Sequence, residues 1–412
     1  MLSDRGEIRK KSWLPDGATP RNVRNHNERL VLTTIRNSGP IPSSEIGRRT
    51  NLSAQTASVI TRSLEGEGLL RRGEPVRGKI GKPSTPMALA PDGALSFGLL
   101  IGRRGADLLL MDLIGRVRAH LDTHYPYPTP ARIIDFVTDG VSRLTADLPA
   151  TQRGRISGLG VGAPNELWNW LDIVGAAPEE MAAWREIDLA AVLHDVVGLP
   201  VQLGNDATLA CYGEQVFGVA SSHRNYGYFH VGHFVGGGIV LNGSVESGPT
   251  GNAGAFGSII VGDPTATDNQ LIHAASLHVL ERMLSAKGLP APDRYGQSDA
   301  WQVDDAVLAD WLEMTATALA TAAISVTAIL DISTVVIDGS FPGAVRARLV
   351  DLVTAKMATA DTRGIRAPRV LAGALGAMAG ALGAMAGALG SAYLPMATQY
   401  FIEGLDLSAP GT

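Results

Sequence analysis

The stretch LPVQLGNDATLACYGEQVFG, residues 199–218, decides the fold because its pattern changes from strand to helix within a few residues. A short apolar run leads to Asn205 and Asp206, and a helix-like run of small residues follows them. A carboxylate at the end of a strand can serve as a general base, whereas an Asn-Asp pair can also simply cap the next helix. The two roles are compatible, and the sequence on either side bears on the choice.

Strand and helix patterns of the same kind recur along residues 91–412. Buried strands are predicted in ALSFGLLIGRRGADLLLMDLIGRVRAHLDTHYP (94–126), with turns at GRRG and LIGR, and in RISGLGVGAPN (155–165). NYGYFHVGHFVGGGIVLNGSVESG (225–248) is typical of a hairpin, and a long Ala-rich helix (306–330) precedes the strand DISTVVIDGSF (331–341). Because hairpins and helices appear twice in similar order, we predict two α/β lobes with a cleft between them.

The composition is that of an ordinary globular protein. The chain has 412 residues, 45% of them hydrophobic, which is enough for two or three domains. Its single cysteine, Cys211, excludes an internal disulfide framework and a cysteine-based zinc cluster. The N-terminal sequence MLSDRGEIRKKSWLPDG lacks the apolar core of a signal peptide. We therefore expect a cytoplasmic protein with no metal ion and no cofactor.

Charge is distributed unevenly along the chain. Residues 1–90 carry a formal charge of +8 and the remainder −13, although the total is only −5. A basic head on an acidic body suggests that the head meets a polyanion, although a solvated basic arm with no partner has the same charge.

The basic head, residues 23–90, has the turn signals of a helix-turn-helix. Three helices are predicted, from about Asn27 to Asn37, over SSEIGRRT (43–50) and over SAQTASVITRSLEGEG (53–68). Ser43 or Ser44 can cap the second helix and Ser53 the third. Asn51 lies where the chain must turn sharply, and Asn tolerates a left-handed conformation. The next residues, GLLRRGEPVRGKIGKPSTPMALA (68–90), predict a hairpin wing.

A helix that follows such a turn fits the major groove of DNA and exposes its N-terminal side chains to base edges. The residues predicted to contact DNA are Ser53, Ala54, Gln55, Thr56, Ser58, Arg62, Arg71, Arg72, Arg77, Lys79 and Lys82. Gln55 can pair with adenine, Thr56 can touch a thymine methyl group, and the cations neutralise phosphates. A three-helix unit can also be a protein–protein module, but the wing and the charge favour DNA.

The chain resembles the ROK family of repressors, open reading frames and kinases, and its architecture is similar to the repressor branch. The resemblance covers about residues 23–395 and is carried by TNLSAQTASVITRSLEGEGLL (50–70), GKPSTPMALAPDGALSFGLLIG (81–102), GLGVGAPN (158–165), LGNDATLACYGE (203–214) and VGHFVGGGIVLNGSVESGPTGNAGAFGSI (231–259). It implies an α/β fold, with an N-terminal winged helix-turn-helix followed by a two-lobed actin/hexokinase-like (ribonuclease-H-like) body.

The domain boundaries expected from this architecture are an N-terminal arm (1–22), the winged helix-turn-helix (23–90), lobe 1 (91–205), lobe 2 (206–380), and a C-terminal helix and tail returning to lobe 1 (381–412).

The resemblance also implies the parts of an ATP site, and this chain departs from each of them. The family kinases' first phosphate turn, Asp-Ile-Gly-Gly-Thr, is Leu100-Ile101-Gly102-Arg103-Arg104 here. The second, Gly-Thr-Gly-x-Gly, is GHFVG (232–236), and the late Gly-Gly turn near adenosine is Asp338-Gly339. Bulky side chains obstruct the approach of phosphate to backbone, although arginines can also bind phosphate. We therefore predict a protein that is not an enzyme, in which Asp206, at the family's catalytic-base position, only accepts hydrogen bonds.

A small effector, a sugar or sugar derivative, is expected in the cleft. The predicted ligand-binding residues are Asn205, Asp206, Glu180, His233 and Ser258. The family's sugar-gripping Gly-Glu-x-Gly-His is GAFGS (254–258), so the Glu and His are absent, as are the cysteines of the zinc loop. Core or surface roles for Glu180 and His233 stay open, and so does the loss of small-molecule control altogether.

A seven-residue unit is repeated in GALGAMAGALGAMAGALGSAY (373–393), inside an uncharged stretch from Val370 to Ile402. Length and Gly-x-x-x-Gly spacing are compatible with a transmembrane helix. The residues are only weakly apolar, however, and Leu375, Leu382 and Leu389 form a single stripe. We predict a buried or interface helix and no membrane.

These observations together predict a sequence-specific transcriptional regulator, most simply a repressor. Its partners would be a double-stranded DNA operator and a small effector, and it would act as a homodimer or homotetramer because two-fold symmetry matches a palindromic operator. The alternatives are an active carbohydrate kinase with an accessory DNA-binding head and a scaffold whose winged helix binds protein.

Overall fold

The computed structural model describes residues 20–75, 84–164, 178–292, 301–376 and 386–403. The head comprises α1 (Pro20–Ser38), β1 (Ile41–Pro42), α2 (Ser43–Thr50), α3 (Ala54–Gly66), β2 (Leu70–Arg72) and β3 (Pro86–Leu89). The three short strands form an antiparallel sheet in the order β1-β3-β2, in which β2 and β3 are the strands of the predicted wing. The predicted N-terminal arm before residue 20 lies outside the described residues.

The turn between α2 and α3 forms as predicted, and α2 spans the predicted residues Ser43–Thr50, whereas its cap and the start of α1 differ from the prediction. Asn51 adopts φ 54°, and the Ser53 hydroxyl accepts a hydrogen bond from the backbone N–H of Thr56 at 3.1 Å. Ser43 does not cap α2, because it is itself helical and its hydroxyl lies 3.2 Å from that of Thr61. α1 begins at Pro20 rather than near Asn27, and proline is favoured at the first position of a helix.

The body contains two α/β units. The first comprises β4 (Leu95–Ile101), β5 (Gly105–Asp112), β6 (Val117–His124), α4 (Pro130–Thr145), α5 (Ala150–Arg153), β7 (Ile156–Ala163), α6 (Pro178–Glu186), α7 (Leu189–Val197) and β8 (Val201–Asn205). The second comprises α8 (Asp206–Phe217), β9 (Tyr226–Val231), β10 (Val235–Leu241), β11 (Ser244–Glu246), α9 (Leu271–Ala275), α10 (Leu277–Ala286), α11 (Asp305–Leu330), β12 (Thr334–Gly339), α12 (Gly343–Thr359) and β13 (Arg369–Ala372), and α13 (Ala386–Tyr400) follows.

The two sheets have the same topology, which confirms the predicted repetition. The first has the order β6-β5-β4-β7-β8 and the second β11-β10-β9-β12-β13. In each, three antiparallel strands joined by hairpins are followed by two strands that pair in parallel. Parallel strands need crossover connections, and helices provide them in both units.

Glycines let α13 lie directly on the first sheet and on α8. A Cβ at Gly160 of β7 would lie 1.9 Å from the Ser391 carbonyl oxygen, and one at Gly98 of β4 would lie 2.4 Å from the Ala392 nitrogen. On the other side, a Cβ at Gly390 would lie 1.8 Å from the Leu209 carbonyl oxygen of α8. The described part of the repeat is therefore a buried helix, as predicted, while residues 377–385 lie outside the described ranges.

One helix among the described residues, Asp305–Leu330, is long and apolar enough to cross a membrane by length and composition. It packs against α9, α10 and α12, and its Trp311, Leu312 and Leu319 are fully buried in the core of the second unit. This is the environment of a core helix.

The head is packed firmly on the body. Arg29 Nε of α1 donates to the Phe401 carbonyl at 2.9 Å, and the Ile402 N–H donates to the Thr33 hydroxyl at 2.9 Å. The Arg36 guanidinium lies 4.9 Å from the centre of the Phe401 ring. Buried apolar side chains of the head, including Val31, belong to the same continuous core as those of α8 and α13.

Candidate functional site

The predicted DNA-contacting helix has one buried and one exposed face. Ala57, Ile60, Thr61 and Leu64 are buried in the head, which leaves the opposite side of α3 to solvent. Among the predicted base contacts, Ser53, Ala54 and Gln55 are exposed, whereas Thr56 and Ser58 are half-buried. The hydroxyls of Ser53 and Thr56 also lie 2.8 Å apart and form the helix cap. Base contact by these two side chains stays a prediction.

Three of the predicted phosphate contacts, Arg62, Arg71 and Arg72, lie in the part of the head that the structure describes. Arg62 and Arg71 are exposed, and Arg72 is exposed but paired with Glu65 at 2.7 Å. On α2, Arg48 and Arg49 both pair with Glu45, and these guanidinium groups lower its pKa to about 2. Arg77, Lys79 and Lys82 lie outside the described residues.

In the body, Asn205 and Asp206 lie at the junction of β8 and α8, where the first unit passes into the second. Asn205 is the N-cap of α8, and its Oδ1 accepts hydrogen bonds from the N–H groups of Ala207 at 3.1 Å and Thr208 at 3.2 Å. Asp206 Oδ1 also accepts from Ala207, at 2.8 Å. The capping role foreseen for the pair is confirmed for Asn205. The Asp206 carboxylate also interacts with the backbone N–H of Asp206 itself.

Burial raises the pKa of Asp206 to about 6, against the opposing effect of the backbone N–H of Ala207. Its carboxylate is therefore less completely ionised near neutral pH than an exposed aspartate, and it is a stronger proton acceptor. An aspartate of this kind can accept a hydrogen bond from a hydroxyl group or take its proton. Which of these occurs depends on whether a phosphoryl donor can bind beside it.

The glycine-rich strand β10 has a packing role. A Cβ at Gly236 would lie 2.7 Å from Ala207 Cβ, and one at Gly238 would lie 2.6 Å from Cys211 Cβ. These glycines let α8 lie against β10 at close range. The run VGGGIVL (235–241) thus sets the position of Asp206 relative to the second sheet.

Both of the altered phosphate turns meet at one cluster of charged side chains. Arg103 and Arg104, in the β4–β5 turn, lie 3.6 Å from the Glu281 carboxylate of α10. His233, in the β9–β10 turn, lies 3.7 Å from the same carboxylate. Desolvation, with the charges of Arg103, His278 and Arg104, lowers the pKa of His233 to about 2. Glu281 of the second unit therefore contacts a turn of the first unit through Arg103 and Arg104, and it also lies close to the neutral His233.

The altered late turn is closed by a buried ion pair. Arg346 Nε of α12 lies 2.7 Å from Asp338 Oδ1, and the side chains are 3% and 0% exposed. Asp338 Oδ2 accepts a hydrogen bond from the Gly376 N–H at 2.9 Å, and the Arg346 guanidinium donates to the Phe341 carbonyl at 3.2 Å. A Cβ at Gly376 would lie 2.4 Å from Asp338 Oδ1, so the segment after β13 is packed directly onto the carboxylate.

Glu180 and Ser258 are not joined to the Asn205–Asp206 pair by any hydrogen bond within the described ranges. Glu180 is exposed on α6, where its carboxylate accepts from the Tyr127 hydroxyl and raises the pKa of that phenol. Ser258 is exposed at the end of a short turn of helix, and its N–H donates to the Ala255 carbonyl at 3.1 Å. Ligand contact by either residue stays a prediction.

Glu281 and Arg346 were not predicted from the sequence. Each lies in a helix that carries other charged residues, and only the tertiary fold brings them to Arg103 and Asp338. Among the described residues, no group of three or more His, Cys, Asp or Glu side chains could hold a metal ion.

Comparison with known families agrees with both parts of the fold. A model described as "ROK family" matches residues 96–390, and one described as "MarR family" matches residues 25–76. A xylose repressor of Bacillus spizizenii is 26% identical over 243 residues, which are 58% of this chain and 61% of that protein. The chain thus spans less than two thirds of the length of this curated relative.

Solved structures give the same result for the fold. A ROK family transcriptional regulator, described as a homologue of the E. coli MLC protein, superposes with a TM-score of 0.62 at 19% identity over 91% of this chain and 98% of that chain. A ROK family glucokinase from Streptomyces griseus, in complex with glucose and AMPPNP, gives 0.56 at 22% identity, over 73% of this chain and 99% of that chain. A winged head therefore precedes a sugar-kinase-like α/β body, and the chain belongs to the ROK family.

Proposed function

We propose that this protein is a DNA-binding transcriptional repressor controlled by a small ligand. The observation that carries the proposal is the exposed face of α3, which is held by a capped turn and flanked by exposed arginines and a wing. A helix presented in this way enters the major groove, while surrounding cations neutralise phosphates. The xylose repressor named among the relatives supports the same class of function.

The effector is a small polyhydroxylated molecule, a sugar or sugar derivative. The Asp206 carboxylate can accept, and the Asn205 amide nitrogen can donate, hydrogen bonds from and to adjacent hydroxyl groups at the start of α8. Because a xylose repressor is among the relatives, D-xylose is the first probe to test. Glu180, His233 and Ser258 remain proposed as further contacts that close around the ligand.

ATP-dependent catalysis is lost in this proposal. The two phosphate turns carry Arg103, Arg104 and His233, which are already engaged with Glu281. The turn that would approach adenosine carries Asp338, which is engaged with Arg346. Phosphoryl transfer depends almost entirely on the positioning of phosphate groups. Because the protein's own side chains occupy these turns, the turns do not position the phosphate groups of ATP.

The signal reaches DNA through α8 and the C-terminal residues. The Tyr212 hydroxyl, six residues and about 9 Å along α8 from Asp206, donates to the Glu403 carboxylate. Glu403 follows Phe401, whose carbonyl and ring contact Arg29 and Arg36 of the head. A ligand that shifts α8 at its N-terminus therefore acts on a helix whose middle is connected to α1. The coupling requires different ligand affinities in the two arrangements.

The protein is proposed to act in the cytoplasm as a homodimer or homotetramer with no membrane partner. One recognition helix covers too few base pairs to specify an operator alone, and two-fold symmetry provides a second half-site.

Selection of bound duplexes from a randomised DNA pool by the full chain tests the proposal. We expect a consensus that contains two related half-sites, and weaker binding to it when D-xylose or another sugar of a screening panel is present. Gln55→Ala should lose about 1–3 kcal/mol of preference at particular base pairs, whereas Arg71→Ala should weaken binding to all duplexes alike. A chain that enriches no sequence, even at low salt, would refute DNA recognition.

The alternative, an active sugar kinase, is favoured by one observation, the raised pKa of Asp206. That value suits a general base. Coupled assays of ADP release across a panel of sugars distinguish the two functions. Turnover by the wild type that Asp206→Asn abolishes would establish the kinase and overturn the loss of catalysis.

A further inference from the structure

Val59 is an exposed apolar side chain in the middle of the DNA-facing side of α3. Its side chain is 56% exposed, whereas Ser58 before it is half-buried and Ile60 after it is buried. At 3.6 residues per turn, Val59 lies on the same face as Gln55, four residues before it, and Arg62, three residues after it. Both of these neighbours are exposed as well.

Helix stability does not explain a valine at this position. A β-branched residue on an exposed helix face loses rotamer freedom and is less favourable than alanine. Its side chain also gains nothing from the head's core, because Ala57, Ile60 and Leu64 fill the opposite face. The exposed residues one turn away on the same face, Gln55 and Arg62, are polar and cationic, so the two methyl groups of Val59 lie between polar neighbours.

We infer that Val59 reads the C5-methyl group of a thymine in the major groove. That methyl group is the only apolar feature that B-DNA presents there, and apolar side chains recognise it by contact. Gln55 and Val59 lie about one helical turn apart, about 6 Å along the helix axis. Residues three or four positions apart on a helix in the major groove contact neighbouring bases, so the thymine is placed within about two base pairs of the one that Gln55 contacts. The inference rests on DNA recognition by the head and adds the chemistry of one position.

Thr56, which was predicted to touch a thymine methyl group, is less well placed for that contact than Val59. The Thr56 hydroxyl and N–H are both engaged with the Ser53 hydroxyl, at 2.8 and 3.1 Å, and the side chain is half-buried. Val59 has no such engagement and protrudes further. Val59 is therefore better placed than Thr56 for contact with the methyl group.

A thymine-to-deoxyuridine scan tests the inference, because it removes single methyl groups and leaves every hydrogen-bonding edge intact. The duplex used is the consensus that the wild type selects from a random pool. We expect one thymine per half-site at which deoxyuridine weakens wild-type binding about fourfold, the factor equivalent to about 0.8 kcal/mol for one buried methyl group. Val59→Ala should bind the thymine and deoxyuridine duplexes equally, and Val59→Thr, which keeps one methyl, should retain part of the difference.

Two controls separate this effect from others. Ile329→Ala removes an apolar side chain that is 80% exposed on the body and should leave the deoxyuridine effect unchanged. Gln55→Ala should keep the effect at the Val59 position while losing preference at its own. The inference is overturned if Val59→Ala keeps the full fourfold difference, or if wild type binds its consensus without sensitivity to any thymine methyl. Failure to select any consensus would instead remove DNA recognition by the head, and the inference with it.

Discussion

Replacing Arg346 by methionine is expected to lower the free energy of unfolding by about 3–5 kcal/mol, the usual cost of leaving a buried charge without its partner. Arg346 and Asp338 are 2.7 Å apart, and their side chains are 3% and 0% exposed. Methionine fills much of the space of the arginine stem, so little of the loss comes from a cavity. The Asp338 carboxylate retains the Gly376 N–H but loses its cation.

The matched control is Arg363→Met. Arg363 also pairs with an aspartate, Asp361, but these side chains are 91% and 60% exposed. Exposed pairs contribute at most about 1 kcal/mol. Urea unfolding of the two variants, followed by far-UV circular dichroism, therefore compares the same substitution in a buried and an exposed pair.

A double variant identifies the cause of the loss. Asp338→Asn combined with Arg346→Met removes both charges, and it should recover part of the stability lost in Arg346→Met alone. Equal losses for Arg346→Met and Arg363→Met would refute the burial of the pair, and with it the closed late turn on which the proposed loss of adenosine binding depends.

Three further predictions concern α3, α8 and α13. Gly390→Ala should lower the free energy of unfolding by about 1–3 kcal/mol or more through overpacking, because its Cβ would lie 1.8 Å from the Leu209 carbonyl oxygen. Gly66→Ala, with nothing within 4 Å, should instead stabilise by up to about 1 kcal/mol, and equal urea midpoints for the two would contradict the packing. Asn205→Ala should cost about 1 kcal/mol through the lost cap, and an unchanged midpoint would contradict that role. The folded state holds the Asp206 proton up to about pH 6, so the free energy of unfolding should fall as pH rises from about 4 to 6. Asp206→Asn should remove that decline. Parallel curves of stability against pH for wild type and variant would show that the pKa of Asp206 is not raised.

Local signals in the sequence were sufficient to predict the helices and strands named above and their order along the chain. Asn51 and Ser53 define the turn and the start of α3 through conformational preference and side-chain capping, which act over three or four residues. The change from strand to helix at Asn205 is also a local signal. The repeated order of hairpins and helices was sufficient to predict two α/β units. The start of α1 was misplaced because helix ends depend on weak local balances.

The contacts that close the candidate site could not be predicted in the same way. Glu281 lies 178 positions after Arg103 in the chain, and Arg346 meets Asp338 only because β12 turns directly into α12 against the segment after β13. Nothing in the pattern of α10 or α12 distinguishes these charged residues from solvated ones. Departures from the phosphate turns were visible in the sequence, but the side chains that now pair with them were not.

A sensor and a kinase place different demands on the same cleft. A kinase must bind its substrate and then convert it, so its ligand disappears as it acts. A regulator needs a ligand that persists and binds one arrangement of the protein more tightly, since equal affinity for both arrangements shifts nothing. In the proposed regulator, protein side chains in the phosphate turns serve this need, because Glu281 connects the two units while Asp206 stays available to a hydroxylated ligand. If no phosphoryl donor binds, as proposed, a bound sugar is not consumed, and the difference in its binding free energy between the two arrangements is available to α8 and, through Glu403, to the head.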